Sequence, residues 1–150
     1  MAAQLWLLRH SEAVPHAADD ASRELTERGE EQARAAGRAL AAMEMFFHAV
    51  YASPKLRALR TAELACEALD AEPVVHEPLR QDFNVRDARE LLAAGEGQRV
   101  LVVGHNPDLA QVVYDLTGAR VDFKKGAVAG VREPELIALL RPRELARIGA

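Results

Sequence analysis

Apolar residues recur along this chain in two alternating rhythms. Short unbroken apolar runs are followed by longer stretches in which apolar positions return every three or four residues, the marks of buried strands and amphipathic helices. The first run, Leu5-Trp6-Leu7-Leu8, ends abruptly in Arg9-His10-Ser11. It predicts a buried strand whose last residues reach the mouth of a sheet. Val14 to Ser22 has no such pattern and carries Pro15, His16 and the acidic pair Asp19-Asp20. It reads as a surface loop at the rim of whatever lies at His10. Thr26 then has the character of a helix N-cap, with Glu27, Glu30 and Glu31 near the positive end of the dipole. Ala33, Ala36, Gly37, Leu40 and Met43 follow at helical spacing, so a helix is expected from Glu27 to about Met43, its small residues allowing close packing on the sheet.

Phe46 to Ala52 predicts a second strand closed by Ser53-Pro54, where Ser53 fits an N-cap and Pro54 the first helical position. Ala58, Ala62, Ala65 and Leu69 mark one face of the second helix, flanked by Leu59 and Cys66. Pro73 to His76 predicts a third strand and Glu77 to Asn84 a loop. Asn84 is placed to cap a third helix from Val85 to Ala94, which Gly95-Glu96-Gly97 breaks. Val100 to Gly104 is a continuous apolar run, as in a strand buried on both faces. Asn106 again resembles an N-cap, here before Pro107, and Leu109, Val112, Val113 and Leu116 face the core of the next helix. Two short strands, Ala127 to Val131 and Leu136 to Leu140, precede a charged tail. The alternation predicts a three-layer α/β/α sandwich with a mostly parallel central sheet and an antiparallel edge. No internal repeat or linker divides the 150 residues, so one domain is expected.

Composition changes the picture in three ways. The formal net charge of -4 argues against general nucleic-acid binding, and it makes any anion site a local concentration of positive charge. Cys66 is the only cysteine, which excludes an internal disulfide or a thiolate metal cluster and fits a buried structural thiol. No basic region followed by a long apolar core opens the chain, so neither a signal peptide nor a membrane span is expected and a cytoplasmic location is the default. His48 and His76 lack the carboxylate companions of a metal site, and no metal or other cofactor is expected.

Three of the predicted strand ends look alike. The first ends in Arg9-His10, the second in Ser53 with Arg57 one helical turn on, and the fourth in Gly104-His105. Open α/β sheets bind ligands outside the carboxyl ends of their strands, so parallel strands would bring Arg9, His10, Arg57 and His105 to one edge. Helix N-termini at Pro54 and Pro107 would add backbone donors. Two arginines and two imidazoles suit a small, highly charged anion, with His10 as nucleophile and Arg9 as clamp. The plain alternative is a strand followed by a polar turn that contains a histidine.

Four blocks of the chain resemble those of a known family. Leu8-Arg9-His10-Ser11-Glu12-Ala13 resembles the signature of the histidine phosphatase superfamily, which includes the phosphoglycerate mutases and many acid phosphatases. Leu25 to Ala33 resembles its second block, Ser53 to Ala62 its phosphate-pocket helix, and Gly104-His105-Asn106-Pro107 the block with its second catalytic histidine. The blocks occur in the family's order. The short length, Lys124-Lys125-Gly126-Ala127 and the late Arg141-Pro142 resemble the SixA-type phosphohistidine phosphatases. The resemblance implies a phosphoglycerate mutase-like fold and a reaction in which His10 attacks phosphorus as a neutral imidazole, Arg9 and Arg57 hold the phosphoryl oxygens, and His105 donates to them. The clustered cations are expected to lower the pKa of His10.

Other positions are expected to play lesser parts. Ser11, where many members have glycine, His16 and Asn106 are candidate substrate contacts. Asn106 is equally a plain cap, His16 a plain surface residue, and Thr61 a support for the helix or for Arg57. Lys55, Arg60, Lys124 and Lys125 solvate the surface or steer an anion. The family's proton donor would fall in the loop after the third strand, where Glu77 and Asp82 are the candidates, although the sequence around them does not match the mutase pattern. A phosphoramidate needs less help from an acid, because its imidazole leaves more readily than an alkoxide. The expected function is therefore a phosphohistidine phosphatase acting on a phosphorylated protein, with no nucleic-acid or membrane partner. The alternatives are a phosphomonoesterase acting on a small phosphorylated substrate, which would need Glu77 or Asp82, and a catalytically silent phosphate- or phosphoprotein-binding module.

Overall fold

The computed structural model describes residues 3–150. Its regular elements are β1 (Gln4–Arg9), α1 (Glu27–Ala42), β2 (Ala49–Ala52), α2 (Leu56–Leu69), β3 (Pro73–Val75), α3 (Val85–Ala94), β4 (Arg99–Gly104), α4 (Asp108–Thr117), β5 (Val128–Arg132), β6 (Glu135–Leu140) and α5 (Pro142–Ile148). The strands form one sheet in the order β3-β2-β4-β1-β5-β6. The first four in that order run parallel, while β5 and β6 pair antiparallel at one edge. This is the expected α/β architecture.

Alternation along each central strand sends successive side chains to opposite faces and so creates two cores. Trp6, Leu8, Val50, Leu101 and Val103 pack beneath α1, α2 and α5, and Leu5, Leu7, Val100 and Val102 pack beneath α3 and α4. The small residues of α1 serve the contact with α2: a Cβ added at Gly37 would overlap the backbone of Ala65. The predicted caps of two helices are in place. Thr26 accepts from the Gly29 amide, and Asn84 forms a reciprocal capping box with Asp87.

Several expected boundaries need correction. β2 begins at Ala49 rather than Phe46, whose side chain is 80% exposed. Glu44, with φ 59°, ends α1 in the left-handed region, and residues 46–48 connect the two elements. α2 begins at Leu56, two residues beyond Pro54. Ser53 does not cap it in the expected way; its hydroxyl accepts from the Lys55 amide at 3.1 Å and turns toward the sheet edge. α4 begins at Asp108, although Asn106 Oδ1 still accepts from the Ala110 amide at 3.3 Å, so this residue does satisfy the helix start. The charged tail is α5, a seven-residue helix with Pro142 in its first turn and a fully buried Leu145 that joins the core under α1. No helix among the described residues is long and apolar enough to cross a membrane.

Candidate active site

Strands β1 and β4 are neighbours with Arg9 opposite Gly104, and the His10 amide donates to the Gly104 carbonyl at 3.0 Å. The next residue of each strand is therefore a histidine at the same sheet edge. The two rings lie 5.3 Å apart, centroid to centroid, tilted by 55°. β2 lies on the other side of β4, and the Ser53 amide continues that pairing to the Val103 carbonyl at 3.0 Å. Its hydroxyl hydrogen-bonds His105 Nε2 at 2.8 Å. Arg57 enters from the first turn of α2. His10, Arg57 and His105 are buried and Arg9 is partly buried. The four residues expected at one edge are thus gathered there.

The orientation of His10 follows from its one hydrogen bond. Nδ1 lies 2.8 Å from the Ser11 carbonyl oxygen. A carbonyl only accepts, so Nδ1 carries a proton, and in the neutral ring Nε2 holds the free lone pair. Burial pushes the His10 pKa from 6.5 down to about 4; the Ser11 hydrogen bond opposes this, and Arg57, Arg9 and Lys125 add to it. The direction matches the sequence-based expectation, but loss of hydration rather than the cations is the first cause. Burial likewise lowers His105 to about 3, assisted by His10, Arg57 and Lys55. Both rings are neutral near pH 7.

Two loops complete the walls. The Phe123 carbonyl accepts from Arg9 Nη1 at 2.8 Å and from Asn106 Nδ2 at 3.3 Å, so it ties the ends of β1 and β4 to the segment before β5. Gly126 in that segment donates its amide to the Arg9 and His10 carbonyls. Exposed Lys125 lies near enough to affect His10, whereas Lys124 is paired with Asp122 at 2.9 Å. On the opposite side the loop after β1 folds back through a one-turn helix at Asp20–Ser22. There Asp20 accepts from Arg57 twice, its carbonyl from Nη1 at 2.9 Å and its carboxylate from Nη2 at 3.1 Å. The same carboxylate pairs with Lys55 at 3.3 Å and Arg23 at 3.2 Å. These partners, Arg23 foremost, hold its pKa well below the usual carboxylate range.

Asp20 is the residue that sequence reasoning missed. It was visible only as half of an acidic pair in a rim loop, and a carboxylate is unexpected beside a candidate anion site. His16, from the same loop, is exposed and makes no hydrogen bond with the four gathered residues. Ser11 is fully buried, and its hydroxyl is used inside the fold, donating to the Gly29 carbonyl at 2.7 Å and lying 3.2 Å from Thr61 Oγ1. Its contribution is to lock the turn after His10 rather than to present a hydroxyl to the pocket. Thr61 also accepts from the Ser11 amide and donates to the Arg57 carbonyl, tying α2 to that turn. Glu77 and Asp82 are exposed; Glu77 pairs with Arg80 at 2.7 Å, and neither bonds any of the four. Among the described residues, Asp20 is the one carboxylate hydrogen-bonded to them.

Unused hydrogen-bonding capacity is concentrated here. Among the described residues, three buried side-chain polar atoms lack a partner: Arg9 Nε, Arg57 Nε and His105 Nδ1. Buried donors are almost always satisfied, so three orphans on residues gathered at one sheet edge leave unmet hydrogen-bonding capacity there. Comparisons with known proteins bear on the family and the fold. Residues 5–89 match the model of the histidine phosphatase superfamily, branch 1. An uncharacterized protein of Picosynechococcus sp. is 30% identical over 139 residues, covering 86% of this chain and 84% of that protein. The structure of the protein histidine phosphatase SixA complexed with tungstate superposes with a TM-score of 0.86 at 26% identity, covering 95% of this chain and 99% of that one. A phosphoserine phosphatase of Entamoeba histolytica in complex with 3-phosphoglyceric acid shares the fold, with a TM-score of 0.77 at 17% identity over 95% of this chain and 99% of that one.

Proposed function

The chain belongs to the histidine phosphatase superfamily, branch 1, and from that premise we propose that it is a phosphohistidine phosphatase that removes phosphate from a phosphorylated protein through a covalent intermediate on His10. The observation that carries the reading is the trio of unpartnered buried nitrogens on Arg9, Arg57 and His105, three residues gathered with His10 at one sheet edge, where His10 keeps Nε2 free. Phosphoryl oxygens satisfy all three. Ser53 accepts from the Lys55 amide, and when it donates its own hydrogen to His105 Nε2 the neutral ring carries its proton on Nδ1, ready to donate.

In the proposed reaction His10 Nε2 forms a bond to phosphorus as the bond to the substrate imidazole breaks. The departing imidazole keeps the electron pair and takes a proton from solvent. Water then attacks phosphorus as the bond to His10 Nε2 breaks and its electron pair returns to that nitrogen; the water gives a proton to solvent, and phosphate and neutral His10 are released. Arg9, Arg57 and His105 hold the oxygens throughout, where charge builds up and placement counts most. The similarity to SixA, a protein histidine phosphatase whose structure was determined with tungstate, supports the substrate class, tungstate being a tetrahedral oxyanion like phosphate.

The missing acid supports phosphohistidine over an ester. An alkoxide leaving group needs a proton as it departs. The carboxylate that touches this site, Asp20, is held ionised by three cations and has no proton to give. Glu77 and Asp82 bond elsewhere or lie in the open.

The test is a substrate panel at neutral pH, comparing a phosphohistidine peptide and phosphoprotein with phosphoserine, a sugar phosphate and 3-phosphoglycerate. The expected result is a clear kcat/KM preference for phosphohistidine. A preference for the esters would make the protein a phosphomonoesterase, and binding without turnover would make it a silent module. His10→Ala should lose the acid-labile phosphoenzyme and at least about 10³-fold in kcat; retained turnover would sink the mechanism.

A further inference from the structure

We propose that Asp20 is a positioning residue: it grips the far edge of the Arg57 guanidinium and so turns the Nε edge toward the phosphoryl group. The inference rests on the reading of the site given above and extends it to a residue outside the four. Arg57 presents five N–H groups in a rigid plane, which cannot satisfy a ligand and a partner along the same edge. Asp20 takes Nη1 through its carbonyl at 2.9 Å and Nη2 through its carboxylate at 3.1 Å. Nε is left buried and unpartnered.

Arg9 has the same arrangement by a different route. Its Nη1 is held by the Phe123 carbonyl at 2.8 Å, and its Nε too is buried and free. Each arginine is therefore tied at its Nη end by one residue while its Nε keeps an unused N–H. For Arg9 the holder is backbone. For Arg57 it includes a side chain, which makes the arrangement open to mutation.

The carboxylate itself is held on several sides. Asp19 accepts from the Ser22 amide and hydroxyl, each at 3.0 Å, which closes the one-turn helix that carries Asp20. Arg23 donates from Nε to the Val14 carbonyl at 2.8 Å while its Nη1 meets Asp20 at 3.2 Å, so the loop's two ends and the carboxylate are joined. Lys55 adds a contact at 3.3 Å from the residue before α2. An ionised carboxylate among three cations also keeps Arg57 from facing like charges alone when the pocket is empty.

A competing idea is that Asp20 is a plug, an internal anion that phosphate has to displace. The two make opposite predictions. As a positioning residue, Asp20→Ala lowers kcat about 10- to 10²-fold and weakens tungstate binding, measured by calorimetry, several-fold. Asp20→Asn keeps the carbonyl and one side-chain acceptor, and it should recover kcat to within about five-fold of the parent. Arg57→Ala carries most of the loss already, so Asp20→Ala added to it should cost less than about two-fold more, because residues acting through one another are not additive. Tighter tungstate binding in Asp20→Ala, an unchanged kcat, or losses that add fully to those of Arg57→Ala would each overturn the proposal. The tungstate cycle does not depend on turnover. If the parent enzyme fails to hydrolyse phosphohistidine, the functional reading falls while the coupling of Asp20 to Arg57 is still measured.

Discussion

At His10 two requirements pull against each other. A nitrogen proposed to accept a phosphoryl group has to be free of its proton, yet a site suited to phosphate invites positive charge. Burial resolves the conflict by penalising a further cation, which moves the pKa from 6.5 to about 4. The consequence for stability has a definite sign. Above about pH 6.5 the ring is neutral in folded and unfolded chains and contributes no pH dependence. Between 6.5 and 4 the unfolded chain takes up the proton first, so stability falls as pH falls, by roughly 3 kcal/mol in all. His105, lowered to about 3, acts in the same direction. An NMR titration should find the His10 ring unprotonated at pH 6 with a midpoint near 4; a midpoint near 6.5 would mean the ring is solvated. The four residues at the strand ends could be read from the chain, because each follows directly on an apolar run. Ser11 could not: its place after the proposed nucleophile points to substrate, and only the approach of Gly29 and Thr61 turns its hydroxyl inward.

Among the elements, the strands and the capped helices follow from local pattern and the C-terminal helix does not. Thr26 and Asn84 bond amides three residues away, so their roles are written in a few positions of sequence. Helix α5 has seven residues, too few to hold itself together, and its charged side chains hide the one that matters. Leu145 is fully buried in the core beneath α1, where Gly149 comes so close to Arg38 and Ala39 that a Cβ would crowd them. Leu145→Ala should therefore cost about 2–5 kcal/mol in urea denaturation. A change of a few tenths would show a solvated tail instead. A comparable close approach lies nearer the site, where a side chain on Gly29 would collide with the Glu12 carbonyl and push α1 off the turn that follows His10.

The molecule as a whole carries a formal charge of -4, yet Arg9, Arg57, Lys55 and Lys125 surround one sheet edge. Asp20 offsets part of that charge through Arg57 and Lys55, and Asp122 through Arg9. The remaining field should be modest and short in range. Raising ionic strength from about 0.05 to 0.5 M is thus expected to raise KM for the proposed phosphoprotein substrate about two- to five-fold with kcat little changed, since screening acts on approach more than on groups already buried. An unchanged KM in steady-state kinetics would assign no steering role to the mouth. Parallel pairing of β1, β2 and β4 joins these scales, bringing residues far apart in sequence to one edge. The chain alone carried the strand-helix alternation, the two-sided burial of the centre and the four residues at the strand ends, since apolar periodicity and the strand-end rule are local or nearly so. The grip on Arg57 spans 37 residues and that on Arg9 spans 114. Those partners, the inward turn of Ser11 and the main cause of the neutral His10 arise when distant loops pack together and exclude water, and no local stretch of sequence records which loops will meet.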